Sequence, residues 1–188
     1  MTARRQQLAN AHHEAGHFVV ALASGFRPML LSLRPLPPYR SGPFVSAPGP
    51  RHTYRQVRAH AVTAAAGLMA ELRAGLASSD TMAGARNDLK QARKAARQLC
   101  GRRWRLALDR YVGAARMEVD RLWPAISALA DESMRFPRIE ARHAYLVIRR
   151  ALGERHLGGA LERMRRGKAR RRRLRRELAR YAAGRRRR

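Results

Sequence analysis

His13, Glu14 and His17 are the residues of this chain whose types and spacing can do chemistry. Residues 13–17 read His-Glu-Ala-Gly-His, an instance of H-E-x-x-H. On a helix, positions i and i+4 project from one face about a turn apart. Two imidazoles held that way can share one tetrahedral Zn²⁺. Glu14 lies beside them, placed to hold a metal-bound water and to take its proton. A single helical turn thus offers two ligands and a base, the parts of a metal-assisted hydrolysis. A catalytic zinc also needs a third protein ligand, and residues 13–17 do not supply one. Without it, the same residues read as well as a histidine pair on a solvated helix face.

The rest of the chain has to position this turn. Its 188 residues suit one domain with an extension, and an apolar content of 45% is enough for a core. Aromatic residues make up only 6%, and alanine is abundant, which favours closely packed helices over a β-sandwich. The longest uninterrupted apolar run, Phe18 to Ala23, is far short of the ~20 residues a membrane-spanning helix needs. No secretory signal is visible, because a charged, His-rich stretch occupies the place of its apolar segment. The single cysteine, Cys100, excludes an internal disulfide, agrees with a cytoplasmic location and reads as a small buried residue rather than a nucleophile.

Periodicity gives the elements. A first helix is expected over residues 4–24, with Leu8, Ala11, Ala15, Val19 and Leu22 facing inward, His13 and His17 on the flank of that face, and Gly25 as its stop. A strand at 29–34 and a return strand at 43–46 read as a small β-hairpin among prolines. A second helix is expected over 54–76, a loop at 77–81 and a third helix over 83–99 with Leu89, Ala92, Ala96 and Leu99 inside. A fourth covers 104–134, with Pro124 expected to kink or divide it. Another helix follows over 140–152. The expected fold is mainly α, a helical bundle carrying the H-E-x-x-H helix and a small β-hairpin.

Three blocks in order resemble the peptidase domain of the FtsH-type zinc metalloproteases, the M41 family. They are His13-Glu14-Ala15-Gly16-His17, Ala66-Gly67-Leu68-Met69-Ala70-Glu71 and Gly84-Ala85-Arg86-Asn87-Asp88-Leu89. They are similar to that family's H-E-A-G-H, G-G-x-x-A-E and G-A-x-N-D-L, and the resemblance covers about residues 8–150. It implies a zinc metalloendopeptidase with one Zn²⁺ per chain, held by His13, His17 and Asp88, with Glu14 as the catalytic base. Two histidines and one aspartate leave the fourth position open, as a catalytic zinc requires. The plainer role for Asp88 is to complement the positive end of its helix. Glu71 is the competing carboxylate, and orienting a ligand histidine is its first-ranked role. The chain departs from the family in three places. No G-x-x-x-x-G-K-[ST] loop or membrane anchor occurs, so an unfolding motor would have to come from a separate ATPase or hexameric partner. Phe18 stands where the family usually has Ala. The Arg-rich end has no counterpart.

That end sets the domain division, residues 1–157 as the peptidase-like domain and 158–188 as a basic tail. The formal charge of the chain is +28, and 38 of its 41 basic residues are arginine. Residues 162–188 hold 15 basic and two acidic residues, net +13. Arg170, Arg171, Arg172, Arg173, Arg175 and Arg176 are the candidate contacts to polyanions. The expected function is peptide-bond hydrolysis on a peptide or unfolded-protein substrate. Two alternatives stand beside it: sequence-independent nucleic-acid binding through the tail, and a catalytically silent scaffold of the same fold.

Overall fold

The structure, a computed structural model, describes residues 2–33, 53–77 and 79–153, giving only the backbone for 79–84. The expected return strand at 43–46, the boundary at residue 158 and all six tail arginines lie outside the described residues. What is described is mainly helical. Four long helices, α1 (Ala3–Ala23), α2 (Tyr54–Arg73), α3 (Ser79–Cys100) and α4 (Trp104–Arg135), come in chain order, and residues 141–153 form a further helix, α5. Two three-residue strands, β1 (Leu30–Ser32) and β2 (Arg138–Glu140), form an antiparallel sheet. No described helix is long and apolar enough to cross a membrane.

α1 is the central helix, and this differs from the amphipathic helix that its spacing predicts. From Ala11 to Leu22 every residue but His13 is buried. α2 and α4 both pack along α1, so it has almost no solvated flank. Thr2 caps its start by accepting from the Arg5 amide. Gly25 ends it at φ +88°, a left-handed conformation that a Cβ disfavours, while the Phe26 amide bonds back to Ala21 O. Phe18 is fully buried and meets the ring of Tyr145 on α5 at 6.0 Å. Its large side chain therefore fills the core on the α5 side.

Gly16 sets the α1–α2 distance. A Cβ there would lie 2.8 Å from both Ala66 O and Ala70 Cβ, closer than real side chains approach. With Ala61, Ala65, Ala66 and Ala70 also buried, the two helices meet through their smallest residues. Thr53 and Gln56 form a reciprocal capping box that starts α2 at Tyr54.

The expected hairpin partner at 43–46 lies outside the described residues, and the partner the structure gives β1 is β2, more than a hundred residues downstream, in the register Leu31↔Ile139. Those two residues face each other across the ladder, both buried. A three-residue strand leaves almost no alternation to read, so its partner is fixed by tertiary packing rather than by a local turn. The loop expected at 77–81 is shorter, because α3 already starts at Ser79. Ser, Asp and Thr suit the start of a helix as well as a loop. Pro124 does not divide α4, which runs from Trp104 to Arg135. The proline removes one backbone bond, but Leu122, Ala125, Ile126 and Leu129 on either side are buried, and that packing carries the helix past the gap.

Candidate metal centre

The two histidines project from the middle of α1 toward α2 and α3, with ring centroids 4.6 Å apart and ring planes at 86°. Each Nδ1 is engaged from behind by α2. His17 Nδ1 lies 2.7 Å from the carbonyl oxygen of Thr63. A carbonyl can only accept, so this nitrogen carries the hydrogen, and the neutral ring then keeps its lone pair on Nε2. His13 Nδ1 lies 2.5 Å from Glu71 Oε1 and donates to that carboxylate. Its Nε2 is likewise turned the other way.

Those two Nε2 atoms meet each other at 3.0 Å, and Asp88 Oδ2 of α3 meets them at 3.0 Å from His13 and 3.2 Å from His17. Three electron-pair donors thus converge in a near-equilateral triangle. Donors sharing one tetrahedral zinc at ~2.0–2.2 Å would stand about 3.3–3.5 Å apart, so an outward shift of a few tenths of an ångström accommodates the ion. The three residues form a group with ligand atoms within 4.8 Å of one another. Without a metal ion between them, a proton on His13 Nε2 can bridge to Asp88, and the electrostatics of the site favour it. Burial would lower the His13 pKa. Its hydrogen bonds to Asp88 and Glu71, helped by the nearby charges of Glu14 and Asp88, outweigh burial and push it up to about 10. Burial would likewise raise the Asp88 carboxyl, yet the two imidazoles hold it well below the ordinary carboxylate range.

Glu14 is buried at 7% exposure and its Oε2 has no hydrogen-bond partner. Burial pushes its pKa above the ordinary value, and the charges of His17 and His13 offset part of that rise. An ionisable group left in this state inside a protein is costly unless its site has a use for it. The donor set fits a metal ion, with the orphaned carboxylate oxygen of Glu14 on the same helical turn.

The sequence singles out five site residues in this domain, and the structure brings all five together: His13, Glu14 and His17 on α1, Glu71 on α2 and Asp88 on α3. Glu71 does not sit among the three converging donors; it bonds to the far nitrogen of His13. Two participants were missed as such. Thr63 contributes only its backbone carbonyl, which no residue type announces. Gly67 lies in a quoted block but had no role there. A Cβ at Gly67 would lie 2.6 Å from His17 Nε2 and 2.9 Å from His13 Cε1, so only glycine lets α2 approach the ring pair. Thr63, Gly67 and Glu71 recur at steps of four, one stripe of α2. That recurrence was the available signal.

Among the described residues, His12, His60 and His143 stay outside the cluster. His12 sets its Nδ1 3.0 Å from Leu8 O and stacks on Trp123 with centroids 5.5 Å apart. His143 pairs with Glu132 at 2.8 Å. Neither a scan against protein-family models nor a search of curated proteins finds a match to this chain.

Proposed function

We propose that this chain is a zinc metallopeptidase of the FtsH-type kind, with His13, His17 and Asp88 holding the metal and Glu14 acting as the base. The observation that carries the reading is the convergence of two Nε2 atoms and one carboxylate oxygen at 3.0–3.2 Å, with both Nδ1 atoms already committed to Glu71 and Thr63. Zn²⁺ bound there would supply Lewis acidity, lowering the pKa of a water towards ~7 and polarising a scissile carbonyl. The remaining work falls to the chain's own residues. Glu71 and the Thr63 carbonyl fix ring orientation and tautomer, and the carboxylate raises the basicity of His13. Glu14 takes the proton of the attacking water and returns it to the leaving amine. A carboxylate raised above its ordinary pKa by burial is a stronger base for that step. Asp88 keeps a negative charge at the cluster across the working pH range, because the imidazoles depress its pKa.

The test uses purified full-length protein and an already unfolded substrate, casein, so that no separate unfolding motor is needed. The wild type should hold about one zinc per chain and cleave casein. Glu14→Gln should remain folded and zinc-loaded but lose cleavage by at least ~100-fold, as expected for removing a general base. Equal cleavage by the two proteins would remove Glu14 from the mechanism. A zinc-loaded wild type that cleaves nothing would favour the silent-scaffold alternative.

A further inference from the structure

The outward face of α3 has no part in the metal cluster, and its composition is one-sided. Between residues 85 and 100 the exposed cations are Arg86, Lys90, Arg93, Lys94 and Arg97, and the other exposed residues are three amides. Steps of three and four along a helix put neighbours on one stripe about 5–6 Å apart. From Arg86 to Arg97 the stripe runs about 16 Å. It continues around the corner through the exposed Arg102 and Arg103 of the 3₁₀ turn Gly101–Arg103. We propose that this face binds the phosphate backbone of nucleic acid, independently of sequence and independently of the Arg-rich tail.

Three observations carry the assignment. First, none of these cations has an ion pair among the described residues, although carboxylates pair with Arg73, Arg121 and Arg135 elsewhere. The stripe also sits in a strongly cationic chain: residues 154–188, for example, hold three Glu against 16 Lys and Arg. Second, the half-buried Trp104 gathers three guanidinium groups, with Arg97 at 4.7 Å and Arg93 and Arg105 each at 5.5 Å from its ring centroid. The indole holds these side chains by cation–π contact. Three like charges around one ring repel, and an anion bridging them relieves that cost. Arginine's planar fork matches two phosphate oxygens at once. Third, none of the exposed side chains between residues 85 and 100 is apolar. A protein partner is held by a partly apolar interface core, which this face lacks. A nucleic-acid backbone is held by charge neutralisation and counterion release, with amides adding bonds to phosphate and sugar.

The inference does not depend on the metal or on peptidase activity. Its test measures binding of a short labelled DNA duplex of arbitrary sequence to the full chain, by fluorescence anisotropy across a salt series. Lys90→Gln with Lys94→Gln is the first variant, since neither lysine touches Trp104 or the cluster, and its circular dichroism should match wild type. Each phosphate contact contributes about 0.9 to the slope of log affinity against log salt. The double variant should therefore lower that slope by about 2, and replacing all five α3 cations by Gln should lower it by about 4–5. An unchanged slope in both variants would overturn the assignment. So would polyglutamate binding as tightly as the duplex and being lost in the same variants, because the surface would then be one for acidic polypeptides.

Discussion

α2 and α3 close the metal cluster from two sides, and they do so by different means. α2 supplies no converging donor atom. It supplies the backing of the ring pair: the Thr63 carbonyl, the gap at Gly67 and the Glu71 carboxylate, all from one stripe of a helix packed through alanines onto α1. α3 supplies one donor, Asp88, from a helix whose outer face is cationic and solvated. Side-chain exposure follows the same division, 3% at Glu71 against 18% at Asp88. The lesson is that holding a ligand and being a ligand are separable tasks. The histidines are oriented before any metal arrives, by groups that stay buried. The third donor arrives from the side that solvent reaches.

The largest effect should come from removing what both helices converge on. The double substitution His13→Ala, His17→Ala leaves Asp88 as a single donor, and zinc measured by mass spectrometry of the purified protein should drop to background. Full zinc retention in that protein would be fatal to the site as described. Next in size is the contrast between the two helices themselves. Asp88→Ala removes a donor, whereas Glu71→Ala removes the group that orients one. Loss of an orienting partner typically costs about 10–100-fold in metal affinity, and Asp88→Ala should cost more than that in the same chelator competition. The reverse ranking would make Glu71 the donor and α2 the side that binds.

The site was more legible in the sequence than the fold around it, and the reason is physical. H-E-x-x-H packs its chemistry into one helical turn, so local spacing determines geometry once the segment is a helix. Asp88 was reached only through resemblance to a family, because no local rule links position 88 to position 13. Thr63 was invisible, since its contribution is a backbone atom. Helix positions came through because the apolar spacing persists over twenty residues or more. The central placement of α1 did not, because its buried residues surround the helix and mix Glu14, Gly16 and two histidines with the apolar ones. The β1–β2 pairing was not legible for a related reason: three residues carry too little pattern to specify a partner so far along the chain.

The smallest step, about tenfold per pH unit, is the competition between proton and metal at His13, and it sharpens the comparison because Glu71 of α2 and Asp88 of α3 both contribute. Burial opposes protonation of this ring, but the two carboxylates outweigh it and raise the pKa from 6.5 to about 10. A group raised on folding stabilises the native state in full below its unfolded pKa, and that contribution is lost as pH rises through the folded value. Chelator-stripped protein should therefore lose stability between pH 6.5 and about 10, by at most about 1.4 kcal/mol per pH unit. Zinc has to displace that proton, so the opposite trend is expected for metal. Apparent zinc affinity should climb roughly tenfold per pH unit across the same window. Competition titrations at about pH 7, 8 and 9, corrected for the chelator's own protonation, measure the slope. A flat profile would mean that His13 binds no proton in the stripped protein, and that the two carboxylates do not act on it together.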